Sequence, residues 1–126
     1  MANKSGWMGW LGIVLILVIG GIHFVDAKDC MSEAAYKGWL FYANGVGALI
    51  AAYGIFQNKS WGWNLGFIIA AVSLAGYVAS RTIGLPQIPA EPDEWMEPLG
   101  VASMVAEGLF VAIFAGNLKC LRNGSR

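Results

Sequence analysis

The chain has 126 residues, of which 57% are hydrophobic and 13% charged, with no formal net charge and a mean hydropathy of +0.58. That balance is too apolar for a water-soluble domain of this length. It also lacks the basic surplus that nucleic-acid binding draws on, so the expected partner is a lipid bilayer and no nucleic acid.

A helix crosses a hydrocarbon core with roughly 20 residues. Four stretches meet that length, about Trp7 to Val25, Ala34 to Phe56, Trp63 to Ile83 and Leu99 to Leu118. Together they fill most of the chain and predict one membrane domain over residues 1–126. The expected fold class is all-α, an integral membrane four-helix bundle of antiparallel up-down topology, multi-pass in the cell membrane.

The first span has a basic start, an apolar stretch and a small-residue end at Val25-Asp26-Ala27, as a cleavable secretory signal would. Trp7 and Trp10 crowd its beginning and His23 interrupts its end, which favours a retained helix. An acidic connection from Asp26 to Glu33 then leads to the second span, and Gln57 to Gly62 leads to the third. All four prolines, Pro86, Pro89, Pro92 and Pro98, fall in or at the end of an outer loop over residues 84–98. Their spacing favours an extended, polyproline-like strap, because each ring fixes φ and removes a donor. Pro98 suits the first turn of the fourth helix, with Asp93, Glu94 and Glu97 near its positive dipole end.

Lys and Arg accumulate on the cytoplasmic side of membrane helices. With the N-terminus inside, Lys4, Lys59, Lys119, Arg122 and Arg126 are cytoplasmic, against Lys28, Lys37 and Arg81 outside, so both termini are expected to be cytoplasmic. All six tryptophans then fall near span edges, where an amphipathic indole is favoured. Cys30 and Cys120 land on opposite faces, too far apart for a disulfide. Glycines concentrate in the spans, including the pair Gly62 and Gly66, and either pack the bundle or seat a neighbouring subunit.

One carboxylate stands apart. Glu107 lies in the middle of the last apolar run, where a charge costs about 3 kcal/mol or more and usually faces a bundle interior, a partner or a ligand. Glu107 is eight residues below Leu99 and Asn44 eight below Tyr36, which puts both about 12 Å deep. Ser73 and Tyr77 bracket that depth on the third helix, and Ser103 is one turn above Glu107. Asn44, Ser73, Tyr77, Ser103 and Glu107 are therefore expected to converge in the outer half of the bundle, with Arg81 reaching down from the boundary. Such a cluster is either a self-satisfied network that fixes helix register or the lining of a pocket for a proton, a cation or a small polar ligand.

His23 is the only histidine, expected near the outer boundary and bonded to a carbonyl, to Asp26 or near Arg81. His23, Asp26, Cys30 and Met31 offer mixed ligands to a soft metal such as copper, at a spacing that matches no closed metal site. One histidine cannot supply both axial imidazoles of a b-type haem within the chain. There is no GxSxG elbow, phosphate-binding loop, HExxH pair or CxxC motif, so an enzyme is not expected and no cofactor is specified.

Two segments carry a resemblance. Gly21-Ile22-His23-Phe24 leads through the acidic turn to Gly38-Trp39-Leu40-Phe41, and Ser80-Arg81-Thr82-Ile83-Gly84-Leu85-Pro86 is followed by Glu97-Pro98-Leu99-Gly100 and Glu107. The chain resembles a loosely defined group of small, uncharacterised four-helix membrane proteins of bacteria and archaea, with a first-helix histidine, an Arg-Thr-x-Gly-Leu-Pro segment and a last-helix glutamate. The resemblance implies the architecture and these positions, and no activity. Members often carry a second histidine in the first outer turn, where this chain reads Asp29-Cys30-Met31. Small multidrug transporters are a poorer match, since their essential glutamate is in the first helix and this first span holds no acid.

The leading expectation is an accessory or stabilising subunit of a larger membrane complex, associating with other subunits or with itself. The alternative is a ligand-binding or transport protein working through Glu107, and a third is an outward-facing metal or redox protein using His23 and Cys30.

Overall fold

An apolar segment in lipid must satisfy its own backbone polar groups, and a helix does so locally. The computed structural model describes residues 7–86, 88–90, 93 and 95–116. Four helices form: α1 (Trp7–Glu33), α2 (Ala35–Phe56), α3 (Ser60–Thr82) and α4 (Pro98–Gly116). All four are long and apolar enough to span a membrane. Large apolar side chains face outward from every one of them, among them Val14, Leu49, Val72 and Leu109. Water would oppose that surface and lipid accepts it, so this is a multi-pass integral membrane protein. The expectations for Lys4, Glu91, Pro92, Glu94, Lys119, Cys120, Arg122 and Arg126, and the end of the last span at Leu118, lie outside the described residues.

The contacts run antiparallel from helix to helix. Along α1 and α2, an added Cβ on Gly20 would meet Ala48, and Phe24 and Met31 lie against Gly45 and Gly38. Gly54 meets Gly62 backbone to backbone between α2 and α3, a contact that only residues without a side chain permit. Phe67 stacks on Phe114, and Trp63 meets Phe110, between α3 and α4. Helix α4 closes back onto α1, completing a ring of four.

The acidic connection expected at Asp26 to Glu33 is instead the last two turns of α1. Nothing between Phe24 and Glu33 is glycine or proline, and polarity takes a helix out of hydrocarbon without ending it. Ala34 alone, extended at φ −162°, ψ 134°, separates α1 from α2. Its N–H completes α1 on the Cys30 carbonyl at 3.0 Å, and its own carbonyl accepts from Lys37 and Gly38 to begin α2. The α2–α3 connection is a Schellman closure, in which Asn58 takes the left-handed conformation (φ 61°). There Asn58 N–H bonds Ile55 and Lys59 N–H bonds Gly54, both at 2.9 Å.

The strap also departs from the extended path. Leu85 and Ile88 exchange two hydrogen bonds of 2.9 Å, so the chain folds into a tight turn, with Pro86 where a fixed φ favours one. Gly84 precedes it at φ +86°, with space for a Cβ blocked by Ile88 O and Ala90 N at 2.9 Å. Tyr36 donates to the Pro86 carbonyl at 2.6 Å and Tyr77 to the Trp95 carbonyl at 2.7 Å, tying the strap to α2 and α3. Glu97 then caps α4, accepting from Gly100 N–H at 2.7 Å, with Pro98 as the first helical residue.

The apolar core gathers toward the end of the bundle that carries the start of α1 and the end of α4. Leu15, Ile16, Ile19, Ala48, Ala51, Ile55, Trp63, Ala106, Phe110 and Phe114 pack there. The other half, under the strap, is built differently.

Candidate functional site

Above the core the helices enclose an open-mouthed cavity of about 620 Å³. All four helices line it, with Leu85 of the strap at its edge. The residues singled out from sequence, Asn44, Ser73, Tyr77, Arg81, Ser103 and Glu107, all border this one space. So do His23, Asp26 and Cys30, whereas Met31 lies against Gly38 at the α1–α2 contact.

The depth of these groups follows from helix register. Glu107 is 1% exposed, and Ser103, one turn earlier on α4, donates its hydroxyl to Glu107 Oε2 at 2.5 Å. His23 projects from α1 to the same carboxylate, its Nε2 4.0 Å from Oε2. Its Nδ1 lies 2.7 Å from the Ile19 carbonyl, which can only accept, so Nδ1 carries a proton. Nε2 therefore attracts Glu107 only when one of the two groups holds a further proton. The imidazole and carboxylate thus face each other as two buried titratable groups, with the Phe41 ring centroid 4.7 Å from that of His23.

Asn44 donates from Nδ2 to Ser73 Oγ at 2.7 Å, joining α2 to α3. Its Oδ1 is buried without a hydrogen-bond partner, an arrangement rare enough to require explanation. Tyr77, with its hydroxyl engaged by the strap, presents its ring to Arg81, whose guanidinium carbon sits 4.0 Å from the centroid. Arg81 also donates to Ser80 Oγ at 2.8 Å. Lys37 pairs with Glu33 at 2.6 Å near the mouth. Neither Asn44, Tyr77 nor Arg81 is a hydrogen-bond partner of Glu107; that place belongs to Ser103, with His23 nearby.

His23 bonds a carbonyl, as expected, but the neighbour that sequence reasoning missed is Glu107. Ending the first helix at Val25 leaves His23 at the boundary, but α1 continues to Glu33, ten residues beyond it, so it lies about 15 Å below the helix end. Counting from the first residue that cannot continue a helix, rather than from the first charge, would have found it. Glu97 and Phe41 also border the cavity, and neither carries a sequence signal distinguishing it from a cap or a core residue. Among the described residues no three His, Cys, Asp or Glu side chains gather closely enough to hold a metal ion.

No protein-family model matches the chain, and no curated protein or solved structure is significantly similar to it.

Proposed function

We propose that this protein binds a small amphiphilic molecule within the membrane, in the cavity around Glu107. The observation that carries this reading is the cavity itself: about 620 Å³ of space, within the roughly 300–1,000 Å³ usual for organic ligands. A polar network serving only to fix helix register would fill its own volume. Here buried polar groups border open space, with Asn44 Oδ1 left unsatisfied. The packed core lies at the far end, and the mouth is on the strap side. With both termini cytoplasmic, as the Lys and Arg distribution favours, that mouth opens to the outer face of the cell membrane.

The accessory-subunit reading has less support. Gly62 and Gly66, the glycines best spaced to seat a partner helix, lie against Gly54 and Phe110 inside the bundle. A metal or redox role through His23, Asp26, Cys30 and Met31 is weakened by the position of Met31 against Gly38.

The test pairs two variants that reach the cavity by different routes. Glu107→Gln removes the carboxyl group from its floor. Gly76→Phe grows a ring at a cavity-lining position where an added Cβ meets nothing within 4 Å. Solvent extraction of the purified protein followed by mass spectrometry should recover a near-stoichiometric organic compound from wild type and little from either variant, with helix content unchanged. Equal recovery from all three proteins would refute the reading.

A further inference from the structure

We propose that the ligand of this cavity is an organic ammonium ion, a protonated amine carrying an apolar body. This rests on the ligand-pocket reading above and adds to it the charge and shape of what binds.

The donors and acceptors facing the space are out of balance. Two cationic side chains border the cavity, and both are engaged within the chain: Lys37 by Glu33 at 2.6 Å, and Arg81 by the Tyr77 ring and Ser80. The carboxylates outnumber them. Asp26, one turn beyond His23 on the same face of α1, borders the cavity and is only partly exposed. Among the described residues it has no hydrogen-bond or ion-pair partner, while Asp29, Glu33 and Glu97 add negative charge within electrostatic reach and Lys37 adds positive. At the floor, Glu107 is engaged through one oxygen only, Oε2. The cavity is thus rich in acceptors that lack donors, and an ammonium group brings three N–H donors and a positive charge.

The walls decide the rest of the molecule. Phe41 and Leu99 line the space, and Leu40, Ile68 and Val72, largely exposed on the outer surface of α2 and α3, border its edge. A bare metal ion would need several ligands converging at short range, and no such group of acidic or histidine side chains exists among the described residues. A cavity of about 620 Å³ with apolar walls instead seats a hydrocarbon or aromatic body behind the charged head. Away from water the ion pair is strengthened, because the local dielectric is low.

The experiment compares 2-phenylethylammonium, 2-phenylethanol and 3-phenylpropanoate, which share a ring and differ in head group. Each is titrated calorimetrically into the full-length protein in lipid nanodiscs, with empty nanodiscs as the blank. The ammonium probe should bind saturably and at least about ten-fold more tightly than the other two. Asp26→Asn and Glu107→Gln should each weaken it by about ten-fold or more and leave the alcohol unaffected. Asp26, being partly exposed, keeps the test decisive if Glu107→Gln fails to fold by circular dichroism. Equal or tighter binding of the alcohol or the carboxylate, or ammonium binding that neither substitution weakens, overturns the assignment of charge and leaves the pocket standing. If none of the three saturates above the blank, the pocket reading falls with it.

Discussion

Glu107 is legible in the sequence because a lone carboxylate in an apolar run has few places to go, and its burial to 1% exposure follows from that. Its surroundings are less legible, since they depend on which residue of another helix reaches the same depth. Ser103 is the partner that local periodicity supplies, at 2.5 Å. Ser103→Ala should lower stability by about 1 kcal/mol, read from unfolding in mixed micelles, because Glu107 then loses its one hydroxyl donor. A change of sign would mean that the hydroxyl is better bonded elsewhere and that Glu107 is held by His23 alone. The distinction between Asn44 and Glu107 as one network or two is also a residue-scale matter. Asn44 pairs with Ser73 across α2 and α3, while Glu107 pairs with Ser103 and faces His23 across α4 and α1. The two sets meet only through the cavity, which no spacing rule could reveal.

At the scale of elements, four apolar runs predicted four helices, and four helices form with boundaries close to those expected except at the end of α1. Charge was the misleading signal there. Residues Lys28, Asp29, Ser32 and Glu33 are exposed while Ala27 and Cys30 are buried, which is the pattern of a helix lying on a bundle. A cysteine scan over Ala27 to Glu33, in a Cys30→Ala, Cys120→Ala background, should therefore label quickly with a water-soluble maleimide at 28, 29, 32 and 33. Positions 27 and 30 should stay protected; uniform labelling would restore a loop. Glycine placement was equally ambiguous from spacing alone, because packing inside a bundle and docking of a partner ask for the same residue. Between α2 and α3 the ambiguity is gone: a Cβ on Gly62 would sit 2.5 Å from the Ile55 backbone nitrogen. Gly62→Leu should cost about 2 kcal/mol or more in the same unfolding assay. Gly108→Leu, where nothing lies within 4 Å, should stay within about 0.5 kcal/mol of wild type.

At the scale of the whole molecule, the bundle divides its length between two tasks. Small residues and stacked aromatics draw the helices together around Ile16, Ala48, Trp63 and Phe110. Toward the strap, polar groups of α1, α2, α3 and α4 border one cavity. The strap turn at Leu85–Ile88, held to α2 by Tyr36, keeps its rim in place. Such a division, a packed base carrying a polar, open-mouthed chamber, sets the Glu107 carboxyl at the edge of open space, as the proposed ligand site requires. The span lengths and the shared depth of Asn44, Ser73, Tyr77, Ser103 and Glu107 were readable in advance. The chamber was not, because it arises from how far the helices separate.

The measurement that tests this account most directly is native mass spectrometry of the protein extracted from its own membrane in mild detergent. The account predicts a protomer or self-oligomer carrying a small organic mass that is absent from the Glu107→Gln variant. A protein recovered only with companion subunits, and with no added mass in the wild type, would contradict it and place the molecule in a larger complex instead.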